Sequence, residues 1–405
     1  MKILLISTNY SPELTGIGKY SGEMTEWLAK HGHDVRVICA PPYYPEWKVS
    51  EDYSAWKYQK QSSENLTVYR CPIWVPAKPS GLKRLLHLAS FALTSLPVVL
   101  RHIFWRADVI ICVEPPLFNS FGAILTSKLS GAKSILHIQD FEVDAAFELG
   151  IVKANWLKRF IYGVERFLMR RFDKVSTISE AMLKKLDEKD IAKDKQLFFP
   201  NWVDTSFIHP LSTVSEYRSE LNIPLDKPVV LYSGNMGEKQ GLEIVIEAAK
   251  NLANDNIQFI MCGSGAALDR LQTLAKGLDN ILWLPLQPFE RLNEFLNLAD
   301  IHLLPQQAGA ADLVMPSKLT GILSSGRPVV ATAQQGTQVA CVVEGKGMVV
   351  APADSEAFSA AIKTLANNPK LRNELGINAR TYAENNLEYN SIMSNLETEL
   401  KLLAR

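Results

Sequence analysis

The stretch "KPVVLYSGNMGEKQGLEIVIEAAKNLANDNIQFIMCGSG", residues Lys227–Gly265, reads as an apolar strand, a glycine-bearing loop, an amphipathic helix, a second apolar strand and a second glycine loop. "VVLYS" and "IQFIMC" are short apolar runs of strand length, whereas "LEIVIEAAKNL" repeats its apolar residues at helical spacing. Strand, crossover helix and strand form the unit of a parallel sheet, and the first turn of such a unit offers free backbone amides to a phosphate. The same order of elements opens the chain in "KILLISTNYSPELTGIGKYSGEMTEWLAKHGHDVRVICA", residues Lys2–Ala40. One pattern written twice predicts two doubly wound domains.

Working outward, the first half carries strand-like runs at Ile3–Ile6, Val35–Ile38, Val109–Val113, Ser134–Ile138 and Val175–Ile178. The second adds Ile281–Leu284, Ile301–Leu304, Val329–Ala331 and Gly347–Val350. Helical patterns separate them, which predicts an α/β chain with helices on both faces of each sheet. We divide it into a first domain at 1–205, a second domain at 206–385 and a terminal helix at 386–405 that packs back on the first domain. Ligands of such sheets sit beyond the carboxyl ends of the strands, where the strand order reverses. With two domains facing each other, the site is expected in the cleft between them.

Composition narrows the partners. The chain has 405 residues, 47% of them apolar, ample for two cores. Lysine plus arginine equals aspartate plus glutamate at 43 each, so no overall basic field advertises nucleic acid. Cys39, Cys71, Cys112, Cys262 and Cys341 are scattered without metal-ligand spacing and read as reduced core thiols of a cytosolic protein. One lysine followed by "ILLI" is too short for a signal peptide. No run of apolar residues is long enough for a membrane span, so the protein is expected in the cytoplasm.

The loop "NYSPELTGIGKYSGEM", Asn9–Met24, holds Gly16 and Gly18, with a third glycine displaced to Gly22. A dinucleotide fingerprint also wants an acidic residue at the end of the second strand, but Val35–Cys39 runs into Ala40, Pro41 and Pro42. NAD is disfavoured. Two readings stay open: a loop shaped around a phosphate, or a tight turn.

Five spaced motifs, "YSPELTGIGKY", "FFPNWVD", "YSGNMGEKQGLE", "CGSG" and "LVMPSKLTGILSSGRPVVA", together resemble the retaining nucleotide-sugar glycosyltransferases of family four, which have the GT-B fold. "APPYYPEW" (Ala40–Trp47), "LHIQDFEVDA" (Leu136–Ala145) and the "GAAD…PSKL" segment are similar to transferases of bacterial exopolysaccharide assembly of the colanic acid type. The resemblance implies a nucleotide-sugar donor, GDP-fucose or a UDP-sugar, and no further cofactor or metal. It implies a lipid-linked sugar acceptor, as in exopolysaccharide or O-antigen assembly, and donor contacts from Gly16, Gly18, Asn235, Gly237, Lys239, Gly241, Gly263, Gly265, Asp312, Ser317 and Lys318. The chemistry asks for such residues, because a departing nucleoside diphosphate gathers negative charge that amides and cations stabilise.

The pattern is broken in two places. The family carries a basic residue where Asn235 stands and lysine just before Gly241, where this chain has Gln240 and a lysine one position earlier. It also carries two glutamates where Leu313 and Gly321 stand, which leaves Asp312 to take part of the ribose-binding work. In the first domain the resemblance implies a catalytic or acceptor-orienting group after the "SILHIQD" strand. His137 is either that group or a satisfied core histidine. Asp140 is either a base or positioning group or the cap of the next helix.

Two stretches suggest the inner membrane surface. "GLKRLLHLASFALTSLPVVLRHIFWR" (Gly81–Arg106) is apolar with basic ends, yet too short and too interrupted by Pro97 to span a bilayer. "KANWLKRFIYGVERFLMRRFDK" (Lys153–Lys174) interleaves Trp156, Phe160, Ile161, Phe167 and Leu168 with Lys158, Arg159, Arg166, Arg170 and Arg171. It is either a helix lying on anionic lipid or a core-packed helix with a solvated basic face. The expected protein is a peripheral transferase. A GT-B epimerase acting on a free nucleotide sugar is the alternative, and it needs no lipid-facing surface.

Overall fold

The computed structural model describes residues 1–13, 16–77, 81–148, 155–237, 240–307 and 316–405. The chain divides into two units, Met1–Pro200 with Ser391–Arg405, and Asn201–Asn390.

The first unit is built on a sheet ordered β3-β4-β2-β1-β5-β6-β7-β8. Its strands are β1 (Lys2–Ile6), β2 (Asp34–Cys39), β3 (Gln59–Ser63), β4 (Leu66–Arg70), β5 (Val109–Glu114), β6 (Lys133–Ile138), β7 (Lys174–Thr177) and β8 (Gln196–Phe198). The central strands are continuous apolar runs because helices cover both faces, and every residue of β5 is buried. β3 alone pairs antiparallel, with β4, and it escapes sequence reading because "QKQSS" is a polar, solvent-facing edge. Strand order reverses between β1 and β5, which pair directly.

Helices α1 (Gly16–Lys30), α2 (Gly81–Arg101), α3 (Asn119–Ser130), α4 (Glu142–Glu148) and α5 (Asn155–Met169) belong to this unit. α2 corrects the expectation that Pro97 interrupts its stretch. The helix runs through Pro97 and continues as a 3-10 turn, His102–Trp105. A proline removes one N–H, and here the remaining ladder carries on. The 25 residues Gly81–Trp105, with a mean hydropathy of 1.4 over their apolar window, are by length and composition enough to cross a membrane; 28% of that window is buried.

The second unit has the strands β9 (Val229–Ser233), β10 (Gln258–Cys262), β11 (Ile281–Leu284), β12 (Ile301–Leu304), β13 (Val329–Thr332) and β14 (Gly347–Val350). They form one parallel sheet in the order β11-β10-β9-β12-β13-β14. Renumbered within the unit this is 3-2-1-4-5-6, the doubly wound order, with its reversal between β9 and β12. Tyr232, Val245, Phe259, Phe358 and Ile362 fill one face of the sheet, and Leu304, Leu319, Leu323 and Val339 the other. Each such side chain contributes about 1.5–3 kcal/mol by leaving water.

The chain changes unit at Pro200–Asn201, ahead of residue 205, because Val203 pairs inside the second unit: its N–H donates to the Leu387 carbonyl at 2.8 Å. The last helix, Tyr389–Leu403, belongs to the first unit from Ser391 onward, where the His33 Nε2 and Glu397 Oε1 atoms are 2.8 Å apart. Four cysteines are buried, and Cys341 is the exposed exception to the core-thiol reading.

Candidate functional site

In the second unit the loops leaving β9 and β10 lie backbone to backbone. Gly234 N–H donates to the Cys262 carbonyl at 3.0 Å, and Met236 N–H to the Ser264 carbonyl at 2.8 Å. Glycine makes this approach possible. Gly263 has a φ of +140° and a Cβ there would collide with the Gly234 carbonyl; at Gly265, φ +155°, a Cβ would stand 2.5 Å from the Met236 carbonyl oxygen. Side-chain-bearing residues avoid such φ values. Gly263 and Gly265 therefore hold the two loops together, and the open side of the pair is formed by Gly234, exposed Asn235 and Gly237.

Lys318, first residue of the helix Lys318–Ser324, reaches this loop from beyond β12. Its Nζ lies 4.0 Å from the centroid of the Tyr232 ring and 3.6 Å from where a Cβ on Gly234 would stand. The Tyr232 hydroxyl is itself engaged, donating to the Asn235 carbonyl at 2.6 Å. Burial pushes the Lys318 ammonium down to about 7, because desolvation penalises its charged form. No ion pair among the described residues includes it. Gln240 Oε1 and Gln306 Oε1 are buried nearby in sequence to these loops, and neither has a hydrogen-bond partner among the described residues. Gly241, at φ +60°, leaves room for Gln307, whose Cγ would be 3.0 Å from a Cβ.

Asn235, Gly237, Gly241, Gly263, Gly265 and Lys318 are thus gathered at the carboxyl ends of β9, β10 and β12, around the reversal of strand order. Ser317 precedes Lys318 and is exposed, with no cap bond from its side chain. Lys239 and Asp312 lie outside the described residues. A glycine loop with a lysine beside it suits an anion.

The first unit answers what its opening loop holds. A Cβ on Gly18 would stand 2.6 Å from Glu13 Cβ and Oε2, and one on Gly22 would stand 2.7 Å from Ser11 Cβ. The space left by these glycines is filled by the loop's own side chains. Glu13 is buried, and its Oε1 accepts from the Tyr43 and Tyr44 N–H groups at 3.0 and 3.1 Å, its Oε2 from Asn9 Nδ2 at 2.9 Å. Its carboxyl is raised by burial, opposed by those three bonds. Gly16 opens α1 at φ +57° with no atom within 4 Å of a Cβ. Gly16 and Gly18 are residues of the first unit, whereas Lys318 belongs to the second.

His137 is buried on β6, with Nδ1 2.9 Å from Ser176 Oγ and Nε2 2.9 Å from Gln139 Nε2. Burial drives its ring down to about 3, so it is neutral. Both nitrogens are engaged, as in a core histidine. Asp140 follows the end of β6 and is half-buried. Two neighbouring carboxyls, Glu114 and Glu142, are raised chiefly by burial, with the Asp140 charge adding a minor share. Glu114 ends β5 at the reversal point; it is wholly buried, neither carboxyl oxygen has a hydrogen-bond partner among the described residues, and burial raises it well above the carboxylate range.

Comparison with known proteins agrees with this architecture. The model of a glycosyl transferase 4-like domain matches residues 15–202, and that of glycosyl transferases group 1 matches residues 213–382. Over 99% of this chain and all of its own length, the Escherichia coli K12 protein WcaI is 45% identical; its name assigns it to colanic acid biosynthesis as a glycosyl transferase. The chain is a GT-B glycosyltransferase. Sucrose-phosphate synthase of Thermosynechococcus elongatus superposes on the transferase with a TM-score of 0.77 at 18% identity, covering 99% of this chain and 98% of its own. Anabaena HepE, solved with UDP and glucose, gives 0.71 at 14% identity, covering 99% of each.

In this transferase, sequence reading did not single out Glu13, Glu114, Tyr232 or Gln306. Glu13 had a signal, since an acid inside a glycine loop calls for N–H partners. Glu114 was hidden at the end of an apolar strand, in front of Pro115 and Pro116.

Proposed function

We propose that this glycosyltransferase takes the diphosphate of a nucleotide sugar against the Gly234–Gly237 loop and Lys318, and transfers the sugar with retention to a lipid-linked oligosaccharide during assembly of an exopolysaccharide of the colanic acid type. The observation that carries the reading is Lys318: a cation held over an aromatic ring, beside a glycine loop, without a carboxylate partner among the described residues. Such a group is poised for a ligand that brings the negative charge. Asn235 and Gln306 complete the donor contacts, and Asp140 acts in the first unit as base or positioning group. The likeness to WcaI supports the colanic acid assignment, and GDP-fucose is the donor proposed.

The membrane surface is the second part of the proposal. On α2 and the turn after it, Leu82, Leu93 and Phe104 are exposed, Phe104 by 89%. On α3, Phe121, Leu125 and Leu129 are exposed as well. No aspartate or glutamate occurs in 81–107 or 119–131, while Lys83, Arg84, Arg101, Arg106 and Lys128 do. Exposed apolar residues on segments whose own charges are all cationic fit an anionic bilayer, where an acceptor with a lipid tail resides.

The test is to measure thermal stability with GDP, UDP and ADP, then transfer from GDP-fucose to a lipid-linked oligosaccharide in anionic vesicles. Stabilisation by GDP above the others, with transfer that survives a chelator, is expected, because a ligand held only by the native state raises its stability. Stabilisation by none of the three would overturn the donor assignment.

A further inference from the structure

The outward face of α5 is aromatic. Glu165, Leu168 and Met169 point inward and are buried, whereas Trp156, Phe160 and Phe167 are 72%, 63% and 53% exposed. With Gly163 they stand at i, i+4, i+7 and i+11, one stripe of helix surface. Arg159 and Arg170 are exposed along that same face, so aromatic and basic residues are mixed on it.

Gly163 interrupts the stripe in the helix interior, where glycine is destabilising relative to alanine. Packing does not require it, since no atom lies within 4 Å of where its Cβ would stand. Beside it lies an open surface notch of about 520 Å³, lined by Gly163, Arg166, Phe167, Arg170, Arg171 and Asp190. Three guanidinium groups face one carboxylate there. Arg166 Nη1 and Arg170 Nη2 both lie 3.2 Å from Asp190 Oδ2, and the Arg171 guanidinium lies 4.5 Å from the Phe167 ring centroid.

We propose that this notch binds the phosphate headgroup of an anionic phospholipid, with Trp156, Phe160 and Phe167 seated at the interface around it; this rests on the membrane reading above. Arginine forks match phosphate oxygens, and aromatic rings favour the headgroup level of a bilayer. The two features together select the occupant. A second copy of the chain packed about a two-fold axis would set one arginine group against another. A free phosphate would leave the aromatic stripe uncovered.

The experiment is co-sedimentation with vesicles of phosphatidylcholine alone and of phosphatidylcholine mixed with phosphatidylglycerol, for the full chain and two variants. Wild type prefers the mixed vesicles by about tenfold or more, as several cations near an anionic surface imply. Gly163→Leu fills the notch while adding apolar surface, so it binds neutral vesicles at least as well as wild type and loses most of the preference. Asp190→Asn frees both guanidinium groups and strengthens the preference; Asp190 has a φ of 55°, a conformation asparagine accepts. A Gly163→Leu protein that keeps the full preference overturns the notch and leaves the membrane reading standing. Displacement from mixed vesicles by soluble glycerophosphate as readily as by short-chain phosphatidylglycerol overturns the lipid assignment. Wild type that binds neither vesicle overturns the membrane reading itself.

Discussion

The Lys318 ammonium sits 4.0 Å from the ring centroid of Tyr232, above a face of negative π density, with no carboxylate partner among the described residues. Desolvation by burial penalises the ammonium and brings the group down to about 7. In the free protein it is largely neutral above that pH. A bound diphosphate favours the ammonium, so binding takes up a proton. Affinity for a nucleoside diphosphate is therefore expected to fall as pH rises above 7, approaching about tenfold per unit. Calorimetry in buffers of different ionisation heat reads the proton directly, and binding with no proton uptake near pH 8 contradicts the assignment.

The two loops beside Lys318 should tolerate no side chain at Gly263. Alanine there meets the Gly234 carbonyl at a φ of +140°, and the variant is expected to lose at least about 2–3 kcal/mol of stability. Gly16→Ala, at φ +57° in open space, should lose only about 1–2 kcal/mol. Urea unfolding of both proteins decides it, and equal losses would refute the close-packed loop.

Glu114 gives a pH signature of its own. Its raised carboxyl is protonated when folded and ionised when unfolded, so between the ordinary carboxylate range and its folded value the native state holds the extra proton. Stability from this group falls as pH rises through that window. Glu114→Gln removes the titration and keeps the shape, so the melting temperature of the variant relative to wild type should climb as pH rises above the ordinary carboxylate range. A constant difference would mean that Glu114 stays ionised.

Glu13 ties Asn9 to the Tyr43–Tyr44 backbone through three hydrogen bonds. Loss of a charged acceptor costs about 1.5–3 kcal/mol per bond network of this kind. Glu13→Ala is expected to bind nucleoside diphosphate normally while transfer drops roughly tenfold or more, with Glu13→Gln intermediate. If donor affinity falls in parallel, Glu13 serves the whole chain's folding and not the first unit's loop.

Fold and site were legible to different degrees. The doubly wound units could be read from "KILLIS" and "KPVVLYS" because buried parallel strands are continuous apolar runs, and the same rule hid β3, a polar edge. Lys318 was readable from "MPSKL", since a cation before a helix beside a glycine loop implies an anion. Its seat over the Tyr232 ring beside Gly234 was not, because those residues are distant in sequence. The glycines could be read only as points of close approach. A glycine signals that something approaches the backbone, and in Gly18 and Gly263 the approaching group is Glu13 in one case and Gly234 in the other.

The central claim is that Lys318 and the Gly234 loop hold the donor diphosphate. Titration calorimetry of wild type and Lys318→Met with GDP, and with guanosine as the control without phosphates, tests it most directly. The variant should bind GDP about ten- to a hundredfold more weakly, the worth of one charge-assisted contact, while both proteins treat guanosine alike. Equal GDP affinities for the two proteins would contradict the account.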